Sequence, residues 1–106
     1  MIVVIFEVTP RAGKADEYFE IAGTLREDLS KIDGFISIER FESVQEKGKF
    51  LSYSVWRDRE AVESWYALAS HKKAQAQGRT RLFEDYRIRV AEVFRDYTMA
   101  TGRPIS

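Results

Sequence analysis

Hydrophobic side chains along the chain follow two different periods, and the changes between them mark elements of secondary structure. A short apolar run rich in β-branched residues, Ile2–Val8, predicts a first strand. From Gly13 the apolar residues recur at intervals of three and four, which predicts a helix. Asp33-Gly34 should end this helix, because a glycine readily adopts the left-handed conformation of a helix cap. The chain therefore opens with a strand followed by a helix.

After the first helix, side chains alternate along two segments, and this pattern predicts a β-hairpin. Phe35–Ser43 and Phe50–Trp56 have the two-residue period of strands, and Gly48 lies in the turn between them. Such turns need a residue with positive φ, which glycine supplies without steric strain.

A second helix should begin at its N-cap Asp58 and run to about Ala69. Ser70 can cap a new helix, so we expect a break there and a restart over Lys72–Gln77. The last strand is predicted over Tyr86–Tyr97, where apolar and charged residues alternate.

The order β-α-β-β-α-β predicts an α+β protein with a ferredoxin-like fold, in which two main helices lie on one face of a four-stranded antiparallel sheet. We expect residues 1–97 to form one domain and residues 98–106 a C-terminal tail. Because two helices cover only one face, the other face should expose a contiguous apolar patch, and we predict a homodimer joined sheet to sheet. The patch would contain Val3, Ile5, Leu51, Tyr53 and Val55, or their alternates.

Composition narrows the partners of the protein. Lys plus Arg and Asp plus Glu both total 17, so no global charge attracts nucleic acid or an anionic membrane. The chain has no cysteine and therefore no disulfide or thiolate metal site. No apolar run approaches the ~20 residues of a membrane span, and the N-terminus is typical of a strand, not of a signal peptide. We expect a cytoplasmic protein.

Several segments together resemble a known family. A hairpin ends in Val-Trp-Arg-Asp-Arg-Glu-Ala (residues 55–61), and a helix with Trp65, then Ser-His (70–71) and a basic stretch, follows. Thr-Pro-Arg-Ala-Gly-Lys (9–14) and Ile-Asp-Gly-Phe (32–35) fit the same pattern. From Ile2 to about Tyr97 the chain resembles the antibiotic biosynthesis monooxygenase (ABM) domain. The resemblance implies a dimeric α+β barrel, with one cavity per subunit between the helices and the sheet.

Three functions are compatible with that resemblance. The first is a cofactor-independent monooxygenase acting on a small aromatic metabolite, phenolic or quinone-like. The second is a non-enzymatic small-molecule-binding or stress-response module of the same fold. The third is haem binding or degradation. The haem-degrading branch has an Asn in strand one, a Trp in helix two and an iron-ligating His further along. Trp65 matches the Trp, whereas Phe6 stands at the Asn position and Gln75 near the His position.

His71, the one histidine, is the candidate general base, because its unperturbed pKa lies near neutrality. Removal of a proton from an anthrone-like phenol would give a carbanion that reacts directly with O2, without flavin or metal. On an unbroken helix His71 would point about 180° away from Val62, toward solvent. A base at His71 therefore requires the break at Ser70.

The predicted substrate-binding residues are mostly aromatic and would suit a planar phenolic ligand. They are Trp65, Tyr66, Tyr53, Phe6, Arg40 and Tyr86. Trp65 also lies on the apolar stripe of its helix, so a purely structural role in the core is the alternative. A single His without Cys does not suggest a protein metal site. Glu7 and Glu92, in otherwise apolar strands, should pair with arginines of neighbouring strands.

Overall fold

A computed structural model describes residues 1–68, 72–73, 76 and 81–101. The predicted order of elements and the α+β class are confirmed. The elements are β1 (Ile2–Pro10), α1 (Ala15–Ser30), β2 (Phe35–Glu42), β3 (Phe50–Trp56), α2 (Arg59–Tyr66) and β4 (Phe83–Glu92).

The strands form one antiparallel sheet in the order β2-β3-β1-β4. β1 pairs with β3 through Ile2 opposite Trp56, and with β4 through Ile2 opposite Glu92. β2 pairs only with β3, so β2 and β4 are the edge strands. Since side chains alternate along each strand, the even-numbered residues of β1 face the helices and the odd-numbered residues face away.

The core lies between the helices and the two central strands of the sheet. Its buried apolar residues come from β1, α1, β3 and α2: Ile2, Leu29, Trp56, Ala61, Val62 and Trp65. Trp56 is only 1% exposed and packs its ring edge-on against Phe35, with 5.3 Å between centroids. This packing fixes the corner at which β3 turns into α2.

The segment Trp-Arg-Asp at that corner has a structural role. Asp58 caps α2, since its carboxylate accepts a hydrogen bond from the Ala61 backbone N–H at 2.9 Å. Arg57 donates two bonds of 3.2 Å to the carboxylate of Asp33 and one of 2.9 Å to Asp58. Gly34 has φ +95°, and a Cβ there would lie 2.7 Å from the Cβ of Ala61. The turn at Asp33-Gly34 is therefore held against the start of α2 by the ion pair with Arg57 and by the close approach of Gly34 to Ala61.

The face of the sheet away from the helices carries the predicted apolar patch, which we call the open face. The register places Val3, Ile5, Leu51, Tyr53 and Val55 on it. Val3 is buried, Ile5, Leu51 and Val55 are half-buried, and Tyr53 is exposed, so only part of the predicted patch is exposed. Glu7 lies among them and pairs with Arg89 of β4 at 2.6 Å and with Lys49 at 3.5 Å. The predicted pairing of Glu7 with an arginine of a neighbouring strand is confirmed. The same prediction for Glu92 is wrong, because its ion-pair partner is Arg59 of α2.

Two element boundaries differ from the prediction. α2 ends at Tyr66 instead of Ala69, because its last turn tightens: the N–H of Leu68 bonds the carbonyl of Trp65, 3.1 Å away. β4 begins at Phe83 and ends at Glu92, after which the N–H of Val93 bonds the carbonyl of Met1. Within the described residues, no helix has the length and apolar character needed to cross a membrane.

Candidate active site

A partly open cavity of about 180 Å³ lies between the two helices and the sheet. We call it the helix–sheet cavity. Most of its walls are aliphatic and aromatic. The described lining residues are Val4, Phe6, Tyr18, Ile21, Ala22, Leu25, Leu29, Ile38, Arg40, Ser52, Ser54, Trp56, Trp65, Tyr66, Leu82, Phe83, Tyr86 and Ile88.

Five of the predicted site residues border this cavity: Phe6, Arg40, Trp65, Tyr66 and Tyr86. They come from four different elements, so the fold brings together side chains that lie far apart in sequence. Trp65 is 8% exposed and belongs both to the core and to the cavity wall. Its two predicted roles are therefore compatible.

Tyr53 is placed differently from the prediction that it would shape this pocket. It lies on the open face and is 37% exposed, while its neighbours Ser52 and Ser54 line the cavity. The reason is the two-residue period of β3, which turns alternate side chains to opposite faces. Within one chain, Tyr53 does not border the cavity. His71, the predicted base, lies outside the described residues.

An aromatic cluster forms one end of the cavity. The ring of Phe83 lies 5.7 Å from Phe6, 5.9 Å from Tyr86 and 5.5 Å from Tyr18, with the last pair edge to face. Separations and tilts of this kind are those that aromatic rings prefer in protein cores. The cluster offers a rigid, flat-sided wall to a ligand.

The two tryptophans form another part of the cavity wall. The indole N–H of Trp56 donates to the hydroxyl of Ser54 at 2.9 Å, which orients the ring. Trp65 packs against it with 6.4 Å between centroids and an interplanar angle of 31°. The indole N–H of Trp56 is thus bonded within the protein, and the bond joins two residues that line the cavity.

Arg40 of β2 and Tyr18 of α1 form the polar corner of the cavity. Burial raises the pKa of the Tyr18 hydroxyl, and the charge of Arg40 together with a side-chain hydrogen bond opposes that rise. The Nε atom of Arg40 is buried without a hydrogen-bond partner. Tyr18 was missed from the sequence because it lies on the apolar stripe of α1. The sequence did contain a signal for the polar corner itself, because Arg40 lies on the same strand face as the apolar Ile38.

Tyr66 also borders a second groove, of about 280 Å³, between α2 and the edge of β4. Burial and then the nearby carboxylate of Glu63 raise the pKa of the Tyr66 hydroxyl. Arg59 and Glu92 form an ion pair of 3.7 Å beside this groove. Tyr66 therefore forms part of both concave surfaces, with its hydroxyl protonated near neutral pH.

The described residues do not fit haem. The cavity volume of about 180 Å³ is close to the roughly 150 Å³ that holds one benzene molecule, and far below what a tetrapyrrole needs. Phe6, at the position of the family's Asn, offers the macrocycle no hydrogen-bond donor. We assign no step to haem.

Comparison with known proteins agrees with this fold. The family model described as antibiotic biosynthesis monooxygenase matches residues 1–77. The chain belongs to this family. It is 43% identical over 93 residues to jasmonate monooxygenase ABM of Pyricularia oryzae, a match that covers 88% of this chain and 43% of the fungal protein. The chain spans about half the length of the curated relatives it matches.

Solved structures of other proteins share the fold at low sequence identity. Rv0793 from Mycobacterium tuberculosis superposes with a TM-score of 0.80 at 18% identity, covering 92% of this chain and 98% of that one. SnoaB, a cofactor-independent oxygenase from Streptomyces nogalater, gives 0.78 at 13% identity, covering 90% and 94%. The predicted ferredoxin-like fold is confirmed.

Proposed function

We propose that the protein is a monooxygenase that oxidises a small phenolic or quinone-like molecule in the helix–sheet cavity, without a resident cofactor. The observation that carries this proposal is the cavity: mostly apolar, walled by aromatic rings and with one polar corner, in a chain of a monooxygenase family. Concave apolar sites with a few convergent polar groups are typical of small-molecule binding. The fungal relative is a monooxygenase of jasmonate by its name, which supports oxygen chemistry on a small metabolite.

Without a cofactor, the substrate itself must supply the electrons that reduce O2. Oxidation of a CH2 group to a carbonyl meets this requirement: one oxygen atom enters the C=O bond, and the other leaves as water with the two hydrogen atoms. A CH2 group activated by a phenol, as in an anthrone, loses a proton to give an electron-rich carbanion. That carbanion can transfer electrons directly to O2.

The proton must go to a base. Among the described lining residues there is no carboxylate or imidazole. Burial raises the pKa of both the Tyr18 and Tyr66 hydroxyls, so near neutral pH they donate hydrogen bonds and do not accept the proton. We therefore propose His71, which follows α2 in the sequence, as the base.

Oxygen uptake tests this function. Protein dialysed against a chelator and free of flavin absorbance is mixed in an oxygen electrode with a panel of anthrones, quinols and one-ring phenols that carry an activated CH2 group, with and without a carboxylate. We expect turnover of at least one panel member, and His71→Ala should lower kcat about 100-fold or more. Lys73→Ala, at an exposed helical position nearby, is the matched control and should leave kcat unchanged. Absence of oxygen uptake with the whole panel would contradict the proposal.

A non-enzymatic binding module is the second candidate. The observation that favours it is that the described lining residues contain no group that titrates near neutral pH. A panel member that binds with micromolar affinity but consumes no oxygen would establish this alternative.

A further inference from the structure

Arg40 is the one cation among the described residues that line the helix–sheet cavity. It lies on β2 opposite Ser52, and its strand neighbour on the same face is Ile38, opposite Ser54. The strand therefore turns a charged side chain toward the helices, into a space whose other described lining residues are uncharged and mostly apolar. A charge in such surroundings is costly unless an opposite charge or hydrogen bonds compensate it.

No such compensation by a carboxylate is found in the part of the chain described. Arg57, Arg81 and Arg89 each hold a carboxylate oxygen within 3.2 Å. Arg40 has no ion pair with any described acidic residue, and its buried Nε lacks a hydrogen-bond acceptor. Leaving a buried donor unsatisfied destabilises the protein, so this arginine is better explained by a ligand than by the fold.

The geometry of the guanidinium selects the kind of anion. Its Nε–H and one Nη–H form a fork that matches the two oxygen atoms of a carboxylate, each accepting one hydrogen bond. A phenolate offers a single oxygen atom and cannot satisfy both arms in this parallel manner. Tyr18, whose hydroxyl is kept protonated by burial, stands beside Arg40 as an additional donor.

The rest of the cavity determines the charge and size of the part of the ligand that lies beyond the carboxylate. Beyond the polar corner the walls are formed by side chains such as Val4, Leu25, Leu29 and Trp65. A second charged group on the ligand would find no partner there among the described residues. The volume of about 180 Å³ suits a body of roughly one ring with small substituents.

We propose that the ligand is a small monocarboxylic acid, with its carboxylate bound by Arg40 and Tyr18 and its apolar body directed toward Trp65. This deepens the proposed function, on which it rests, by naming the acid group as the handle that orients the substrate. The CH2 group that is oxidised, activated by a phenol or by another group, would then belong to the apolar part of the ligand.

Binding, measured without oxygen chemistry, tests the inference. Phenylacetate and cyclohexanecarboxylate are compared with their primary amides by isothermal titration, and with a neutral phenol of similar size. We expect each acid to bind at least about tenfold more tightly than its amide, and Arg40→Gln to remove that preference. Arg40→Lys, which keeps the charge without the fork, should retain part of it. Arg87→Gln, at an exposed position on β4, is the matched control and should change nothing.

The outcomes separate this inference from the proposed function. Acids that bind no better than their amides, or that bind Arg40→Gln as tightly as the wild type, would overturn it even if oxygen uptake occurs with neutral substrates. Preference for the phenol would overturn it as well. A strong acid preference that depends on Arg40, without oxygen uptake by any panel member, would support the carboxylate site and reject the monooxygenase. Circular dichroism shows whether Arg40→Gln folds. If it does not, the ratio of the affinities for an acid and its amide, compared between the wild type and Arg40→Lys, decides whether Arg40 binds the carboxylate.

Discussion

The hydroxyl of Tyr18 on α1 interacts with the guanidinium of Arg40 on β2, and the pair forms the polar corner of an apolar cavity. Two opposing effects act on the pKa of Tyr18. Burial, the larger effect, raises the pKa of Tyr18, while the charge of Arg40 and its hydrogen bond lower it. The net result is a neutral hydroxyl beside a cation, which leaves the cation available to an anionic ligand.

This pair predicts how stability responds to alkaline pH. Because the pKa of Tyr18 is higher in the folded than in the unfolded protein, its contribution to stability is complete below about pH 10 and is lost as the pH rises through the folded value. Tyr18→Phe should therefore make the fall of the unfolding free energy above about pH 10 shallower. Urea unfolding at a series of pH values measures this slope. An unchanged slope would show that Tyr18 does not titrate abnormally.

Gly34 predicts a steric effect at the corner between α1 and β2. Gly34→Ala places a methyl group 2.7 Å from the Cβ of Ala61 at φ +95°, whereas Gly48→Ala, at φ +87°, meets no atom within 4 Å. Both changes carry a backbone cost of roughly 1–2 kcal/mol, and the first adds an overpacking cost of roughly 1–3 kcal/mol. Thermal and urea unfolding should show Gly34→Ala to be the more destabilised variant. Equal losses for the two variants would mean that the chain relaxes around the added methyl group.

The hydrogen bond between Trp56 and Ser54 gives a further prediction. Trp56→Phe removes the indole N–H that donates to Ser54 at 2.9 Å and leaves the buried serine hydroxyl without this partner. We expect a loss of roughly 1–3 kcal/mol in the free energy of unfolding from the lost bond, in addition to any loss of packing. The effects of Trp56→Phe and Ser54→Ala should be non-additive in a double-mutant cycle, because they remove the same bond. Strict additivity would indicate that the bond contributes nothing to stability.

The open face predicts the oligomeric state. Tyr53 and Phe41 are 37% and 47% exposed there, beside Ile5 and Val55, and a second copy of the chain is the partner we propose for this patch. Sedimentation at micromolar concentration should give a dimer for the wild type and a monomer for Val55→Lys. Val44→Lys, which makes the same change at a fully exposed turn position, should remain dimeric. A monomeric wild type would contradict the proposed dimer.

The sequence predicted the fold well because its signals there are local. The strand period, the cap at Asp58 and the left-handed glycines Gly34 and Gly48 each act within a few residues, and the structure has all of them. The end of α2 was placed too late because Ala67 and Leu68 are compatible with a helix, while a tightened turn ends it at Tyr66.

The site was predicted only in part because its residues meet through tertiary packing. Phe6, Arg40 and Trp65 could be named from residue type, but the partnership of Arg40 with Tyr18 depends on how α1 lies over β2. Tyr53 was assigned to the pocket by its chemistry, although the strand period already placed it on the same face as Val55 and away from Trp56. In a strand, the face is a stronger guide to a site than the residue type.

The central claim is that O2 oxidises a substrate held in the helix–sheet cavity without a resident cofactor, and isotope labelling tests it most directly. Chelator-treated, flavin-free protein is incubated under ¹⁸O2 with a panel substrate, and the product is analysed by mass spectrometry. The predicted result is one ¹⁸O atom in the product carbonyl, with the other in water, and little labelled product from His71→Ala. Unlabelled product, or labelling that appears only after flavin or metal is added, would contradict the claim.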